Sequence, residues 1–495
     1  MEKKKFWPIF RAFLFLGQLF LQSLCTAFLW QMNILPDKYI FLLLGAMVMF
    51  AVFSAVLLFV NVPKKLALCR KIISSTLALL IMLGCGAIFK ISLDAYNLMQ
   101  NITTQLADAR NTYVVVLNDN TAQTVTDTKG YQYGVVQDYD VEHTQQMLTY
   151  IESQTGETVA VTNYSQSTQL VDALYNREVD ALIMNGASIS LLIEEQSYAD
   201  FLTRARLLYE LPFDAEQSKE EKPKESVAEP FVVYISGSDT RSTLLRVSRS
   251  DVNILAVVNP KTKQVLLVNT PRDFYVPNPA GKGALDKLTH CGNYGVECSV
   301  EALAGLYETQ VAYYGQINFV GFEKLIDAID GITVVADHSF TAITGDYFQK
   351  GENTLYGSKA LAFARERFNV SGGDRARGNN QMKVITAVIN KMTSSSTLIA
   401  NYADILASLD GMFVTNFTPD EISKLIKNQM EDMTPWNVQS YAVTGKGGYA
   451  ETYSWKGQEL YVMHPDEATV NHAKTLISRV LQGEILTAED MALPQ

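Results

Sequence analysis

Three long apolar runs open the chain; beyond them apolar positions fall into short bursts separated by polar stretches. Ala12–Trp30 has only Gln18 and Gln22 as strong polar interruptions, Ile40–Val60 runs 21 residues without a charge, and Ile72–Phe89 adds 18 more. Each is close to the roughly 20 residues an α-helix needs to cross a hydrocarbon core. A cleavable signal peptide would account for the first run only. The pattern therefore predicts a three-span anchor over 1–91, and Ser92 to about Leu106 continues as a polar, helical stalk.

Flanking charge sets the expected orientation. Lys3, Lys4, Lys5 and Arg11 precede the first span, and Lys64, Lys65, Arg70 and Lys71 lie between the second and third. The segment Gln31–Tyr39 carries only Asp37 and Lys38. The positive-inside rule puts the N-terminus and the second loop in the cytoplasm, so everything after Ile91 is expected outside the cell membrane.

Beyond the anchor the period changes to alternating strands and helices. Strands are expected at Tyr113–Leu117, Val159–Thr162 and Ala181–Met184, with helices at Glu142–Thr155 and Gln166–Asn176, giving a small α/β accessory domain over 92–213. Residues 214–230 are charged, contain proline and lack large apolar side chains, which marks a linker. A second, layered α/β domain is expected over 231–485. Phe231–Ser236, Val252–Val258, Val265–Asn269 and Ile332–Ala336 read as strands. Helices are expected at Ser299–Thr309, from Gly357, at Asn379–Thr393, at Pro419–Met433 and from Pro465 to Leu481. A hairpin is expected over Tyr453–Met463, with Lys456-Gly457 as its turn.

Charge is unevenly shared. Of 41 basic and 52 acidic residues, ten basic and two acidic ones lie up to Ile91, so the remainder is strongly acidic. Such a body repels nucleic acid; an anion must be captured by a local pocket. Of five cysteines, Cys25, Cys69 and Cys85 fall in or beside apolar spans, while Cys291 and Cys298 could be a disulfide or two buried thiols. The chain has no phosphate-binding P-loop, no G-x-S-x-G elbow and no H-E-x-x-H, and its five histidines are scattered.

Charge at strand ends carries the candidate chemistry. Asp239 and Arg241 follow the first strand of the second domain, Arg249 and Asp251 precede the next, and Arg272-Asp273 follow the third. Alone, each is an exposed turn charge; at successive strand ends they point to one rim. Asp239 and Asp251 meeting there would repel each other unless a hard divalent cation sat between them, and Mg²⁺ suits this. The strongest signal is Arg365-Glu366-Arg367 followed by Asp374, Arg377 and Gln381. An extended segment would put Arg365 and Arg367 on one face, and Arg377 and Gln381 stack on one side of a starting helix. Guanidinium forks match phosphate oxygens in pairs, so the cluster implies an anion with more than one phosphate. The alternative is a solvated helix with Glu366 and Asp374 as surface ion-pair partners.

Taken together, Gly-Ser-Asp239-Thr-Arg241, Arg249-Ser-Asp251, Thr-Pro-Arg272-Asp273, Asn318-Phe-Val-Gly-Phe with Asp327, and Arg365-x-Arg367 through Asp374, Arg377 and Gln381 resemble the LytR–CpsA–Psr family of cell-wall glycopolymer transferases. Three spans plus an accessory domain further resemble its streptococcal CpsA-type members, associated with capsule. The resemblance implies an α/β/α core with an apolar cleft for a polyprenyl chain. It implies a diphosphate held by Arg272, Arg365, Arg367 and Arg377 with Gln381 assisting, alongside Arg241 and Arg249. Mg²⁺, or Mn²⁺, would be held by Asp239 and Asp251. Arg272 would act on the reacting phosphates, and Asp374 would serve as base or as orienter of Arg377. The implied reaction joins a glycan-1-phosphate, from a polyprenyl-pyrophosphate carrier, to peptidoglycan, with capsule- or wall-assembly proteins as possible partners. Two other readings stay open: a membrane-bound regulator, or a protein that only binds or hydrolyses the lipid pyrophosphate.

Overall fold

The computed structural model describes residues 3–60, 63, 67–102, 111–137, 139–212, 226–238, 249–393 and 402–493. Three helices long and apolar enough to cross a membrane open the chain: α1 (Lys3–Met32), α2 (Asp37–Phe59) and α3 (Ala67–Ile102). The spans within them are Trp7–Met32, Asp37–Phe59 and Leu68–Met99. The third helix runs past its apolar stretch into the polar segment expected to continue as a stalk.

Contacts divide the chain into two compact units. The first joins Met1–Thr103 with Asn390–Asp410 and Phe417–Pro435. Within it the helices Tyr402–Leu409 and Pro419–Glu431 pack against α3. The Lys427 ammonium donates to Asp37 at 2.8 Å and to Asn33 at 3.2 Å. Thr418 and Glu421 start the second of these helices with a reciprocal capping box, which satisfies N–H groups that have no partner inside the helix.

The second unit holds Thr104–Ile389, Gly411–Asn416 and Trp436–Gln495. Its first part is a five-stranded sheet formed from β1 (Thr112–Leu117), β2 (Gln132–Val136), β3 (Ala160–Tyr164), β4 (Ala181–Asn185) and β5 (Ala205–Leu211), in the order β3-β2-β4-β1-β5. β2 runs parallel to β3 and β4, whereas β1 is antiparallel to β4 and β5. Helices cover both faces, with separate cores around Leu170, Leu174 and Phe201 and around Met147 and Ile151.

A six-stranded mixed sheet forms the second part. β6 (Phe231–Ser238), β7 (Ser250–Asn259) and β8 (Gln264–Asn269) pair antiparallel in succession. Tyr313–Asn318 adds parallel to β6 and Asn437–Ala442 parallel to β8, while Phe413–Thr415 closes the edge beside Tyr313–Asn318. On one face Val232, Tyr234, Leu255, Val257, Leu266 and Val268 pack with Leu303, Leu476 and Val480 from two covering helices. On the other face Ile254, Ala256 and Leu267 meet Met382 of the helix Gly373–Thr393. Period-2 strands apolar on both faces thus give the expected α/β/α layering.

A hairpin and a helix start differ from the sequence expectation. The hairpin pairs Gly445–Glu451 with Glu459–Pro465, so its first strand lies earlier than expected and Lys456-Gly457 sits in a longer loop. The glycine-rich segment Gly445-Lys-Gly-Gly lacks apolar alternation and gives no strand signal in the sequence. The helix carrying Arg377 begins at Gly373, six residues before Asn379, through a stretch whose glycines have low helix propensity. Cys291 and Cys298 are free thiols, both buried. A hydrogen bond with Cys298 and then burial push the Cys291 thiol well up.

Candidate functional site

The site lies along one edge of the six-stranded sheet, where the carboxyl ends of β6, β8 and Tyr313–Asn318 meet the amino end of β7. The register fixes this: Ser238 pairs with Ser250 and with Asn318, and Ile254 with Asn269. Ligands of open α/β sheets collect at such an edge because the loops leaving the strands can converge there. The pairing register shifts between Gly237 and Ser238, the last residues of β6. Beneath this point a buried network ties the strand ends together: the Tyr234 hydroxyl donates to Asn253 at 2.7 Å and lies 2.9 Å from the Ser250 hydroxyl, itself 2.8 Å from that of Ser236. These bonds set the backbone from which Asp251 projects.

Arg272 leaves the turn after β8 and donates to Asp251 at 2.7 Å, with Asp273 3.8 Å from its Nε. Lys287 pairs with Asp273 at 3.0 Å. Burial alone would lower the Arg272 guanidinium, but Asp251 and Asp273 outweigh it and hold it above the usual arginine value. Arg377 and Gln381 lie on one side of the helix Gly373–Thr393, both 9% exposed, and Arg377 pairs with Asp374 at 2.5 Å. Burial, opposed by Asp374, pushes the Arg377 guanidinium down, and repulsion from Arg272 and Arg367 adds to it. Arg272, Arg367 and Arg377, far apart in sequence, line one cavity.

Arg365 and Arg367 are held differently. Arg365 is the last residue of the helix Gly357–Arg365, so the extended segment expected to align the two arginines is a helix end followed by one extended residue, Glu366. The Arg365 guanidinium lies 4.3 Å from the Phe319 ring centre and that of Arg367 4.6 Å from the Phe368 ring centre. Aromatic faces attract cations without neutralising them. Among the described residues neither arginine has a carboxylate partner.

Arg272, Arg365, Arg367, Arg377, Gln381 and Asp251 all line one cavity of about 700 Å³. Ile235, Val252, Ile317, Phe322, Leu361, Val384 and Ile385 supply apolar wall. A volume of this size suits a drug-sized ligand or a length of hydrocarbon chain. Asp374 touches the cavity only through Arg377, and Arg249, half-buried immediately before β7, is not part of its lining. Asp239 and Arg241 lie outside the described residues. Asn318 and Asp327 serve the scaffold: Asn318 accepts from the Gly321 N–H at 2.8 Å and caps the next helix, and Asp327 accepts from the Gly357 N–H at 2.8 Å.

Among the described residues no group of three or more His, Cys, Asp and Glu side chains could hold a metal. Asp251 offers a hard oxygen donor to the cavity, with one oxygen engaged by Arg272. That donor set fits a cation that takes one or two protein carboxylates and fills its shell with phosphate oxygens and water, the habit of Mg²⁺.

Residues 210–475, more than half of the chain, match the model of the LytR_cpsA_psr family. The chain belongs to the LytR–CpsA–Psr family. A relative in this family, the polyisoprenyl-teichoic acid–peptidoglycan teichoic acid transferase TagU of Bacillus mycoides (strain KBAB4), is 33% identical over 256 residues, covering 52% of this chain and 80% of TagU. TagU of Enterococcus faecalis (strain ATCC 700802 / V583) is 32% identical over 212 residues, 42% of this chain and 69% of that protein. Among solved structures, B. subtilis TagV aligns with a TM-score of 0.44 at 25% identity, over 52% of this chain and 99% of its own.

Proposed function

We propose that this LytR–CpsA–Psr protein transfers a glycan-1-phosphate from a polyprenyl-pyrophosphate carrier to a hydroxyl of peptidoglycan, outside the membrane. The observation that carries the reading is the joining of four arginines to an apolar-walled cavity: a diphosphate head and a hydrocarbon tail need these two environments side by side. Relatives named as transferases from polyisoprenyl-linked teichoic acid to peptidoglycan support the same chemistry. The polymer could be capsular polysaccharide or another wall glycan.

Transfer needs an acceptor oxygen to attack the phosphorus that bears the sugar. A new O–P bond forms, the bridging P–O bond breaks, and polyprenyl phosphate leaves with the electron pair. The acceptor's proton goes to a base. Arginines already fixed in place stabilise charge growing on the leaving phosphate, because they need not reorganise during the reaction. Arg365 and Arg367, without carboxylate partners among the described residues, offer their donors directly. Arg272 and Arg377 exchange part of their pairing with Asp251 and Asp374 for phosphate oxygens. Asp374, released in this way, is the proposed proton acceptor or orienter of Arg377. Mg²⁺ or Mn²⁺ held by Asp251 and Asp239 would neutralise further phosphate charge. The three helices keep the enzyme where a lipid-linked substrate resides, and their flanking lysines and arginines support an exterior site.

The test is turnover of lipid-pyrophosphate glycan with peptidoglycan and Mg²⁺ by the full-length protein. Glycan on the wall polymer is expected. Free glycan phosphate alone would instead make the protein a hydrolase. Arg365→Ala and Arg367→Ala are each expected to abolish transfer while the protein still folds and inserts; wild-type turnover in both would contradict the assignment.

A further inference from the structure

Glu366 stands between the two arginines that carry the proposed phosphate contact, and it is 3% exposed. A carboxylate there would be expected to pair with a guanidinium. Instead its oxygens accept from the backbone N–H groups of Ile343 at 2.6 Å, Phe368 at 2.7 Å and Asn369 at 2.9 Å, with Arg367 N–H as a further donor. Charge-assisted bonds of this kind are stronger than neutral ones, and several converging on one group leave the backbone little freedom. Three of the four donors belong to the turn that carries Arg367. The fourth, Ile343, sits between the short strands Phe340–Thr341 and Tyr347–Phe348 and lines the cavity with Ala342 and Thr344.

One buried charge therefore shapes the arginine turn, leaves both guanidinium groups without a carboxylate among the described residues, and joins them to the cavity wall. We propose that Glu366 is a positioning residue: it fixes Arg365 and Arg367 as a diphosphate clamp and fastens the tail-binding wall at Ile343 to that clamp. The role rests on the phosphate-binding reading of the site and deepens it. It explains why an acid sits in the middle of an anion site: with its lone pairs turned to backbone donors, the carboxylate fixes the clamp's geometry and leaves the phosphate contacts to the guanidinium groups.

The experiment is calorimetric titration of the full-length protein in detergent with inorganic pyrophosphate, alongside its thermal midpoint. In Glu366→Gln the amide can accept fewer of the N–H bonds and sets its own donors against the backbone. Pyrophosphate affinity is expected to fall about 10- to 100-fold, as small misplacements of binding groups do. In an Arg367→Ala background the further loss should be clearly smaller, because residues acting through one another are not additive. A merely structural carboxylate would cost the same in both backgrounds. Should Glu366→Gln fail to fold, Glu366→Asp keeps the charge with a shorter reach, and intermediate affinity is expected. Wild-type affinity in whichever of these variants folds, or an equal loss in both backgrounds, would overturn the positioning role while leaving the clamp intact. If the wild-type protein itself does not bind pyrophosphate, the phosphate-binding reading falls and this role with it.

Discussion

Arg365 and Arg367 show how little of a residue's role its identity fixes. Spacing in the sequence marks the arginines as a cluster, and Asp374 pairs with Arg377 as a local carboxylate should. Glu366, equally close in sequence, does not pair with either neighbour; its fate depends on N–H groups whose direction only the folded turn supplies. The consequence is measurable with pH. Burial would raise the Glu366 carboxyl, but its backbone donors outweigh burial and hold it below the usual carboxylate range. Asp286, fully buried, is treated alike: burial raises it, and His290 at 2.7 Å, with bonds from Ser454 and Asn278, lowers it further than that. Groups with depressed folded-state values add stability that is present above their unfolded values, near 4, and is lost as pH falls through the folded ones. The thermal midpoint should therefore drop steadily as pH is lowered from about 5, and Glu366→Gln should flatten part of that slope. A midpoint indifferent to acid would show that neither carboxylate is held as described.

At the scale of elements, β6, β7 and β8 were legible because each is a short run of Val, Ile and Leu bounded by polar residues. Their mixed direction was not, since a strand buried on both faces reads alike whether parallel or antiparallel. The helix Pro419–Glu431 was equally legible, but an amphipathic pattern does not name its neighbour, and this one packs on α3. The start of the helix Gly373–Thr393 was missed because its glycines argue against it. Gly378 is there for space: a Cβ would come within 2.3 Å of the Asn269 side chain at the end of β8. That close approach brings Arg377 and Gln381 to the sheet edge. Gly378→Val should destabilise by about 1–3 kcal/mol through overpacking and should weaken pyrophosphate binding as the helix backs away. Unchanged midpoint and affinity would mean that helix and strand have room to spare.

For the molecule as a whole, apolar length gave the anchor, and the lysines and arginines flanking the first span and filling the loop between the second and third gave the expected orientation. Membership of the LytR–CpsA–Psr family was legible from the charged motifs at strand ends, from Asp239 and Arg241 through Arg377 and Gln381. The cavity was expected only through the family resemblance and not from the residue pattern itself, because hollows arise from what packing leaves unfilled, and no residue in the sequence marks a gap. Everything proposed about function depends on that hollow and its arginine-lined rim receiving the two ends of one amphipathic molecule. The most direct measurement is a crystal structure of the full-length protein with a short-chain polyprenyl diphosphate. The diphosphate should lie within hydrogen-bonding reach of Arg272, Arg365, Arg367 and Arg377, with the isoprenoid chain between Val252 and Ile385 inside the cavity. A diphosphate bound elsewhere, or a cavity left empty while the lipid occupies another surface, would contradict the account.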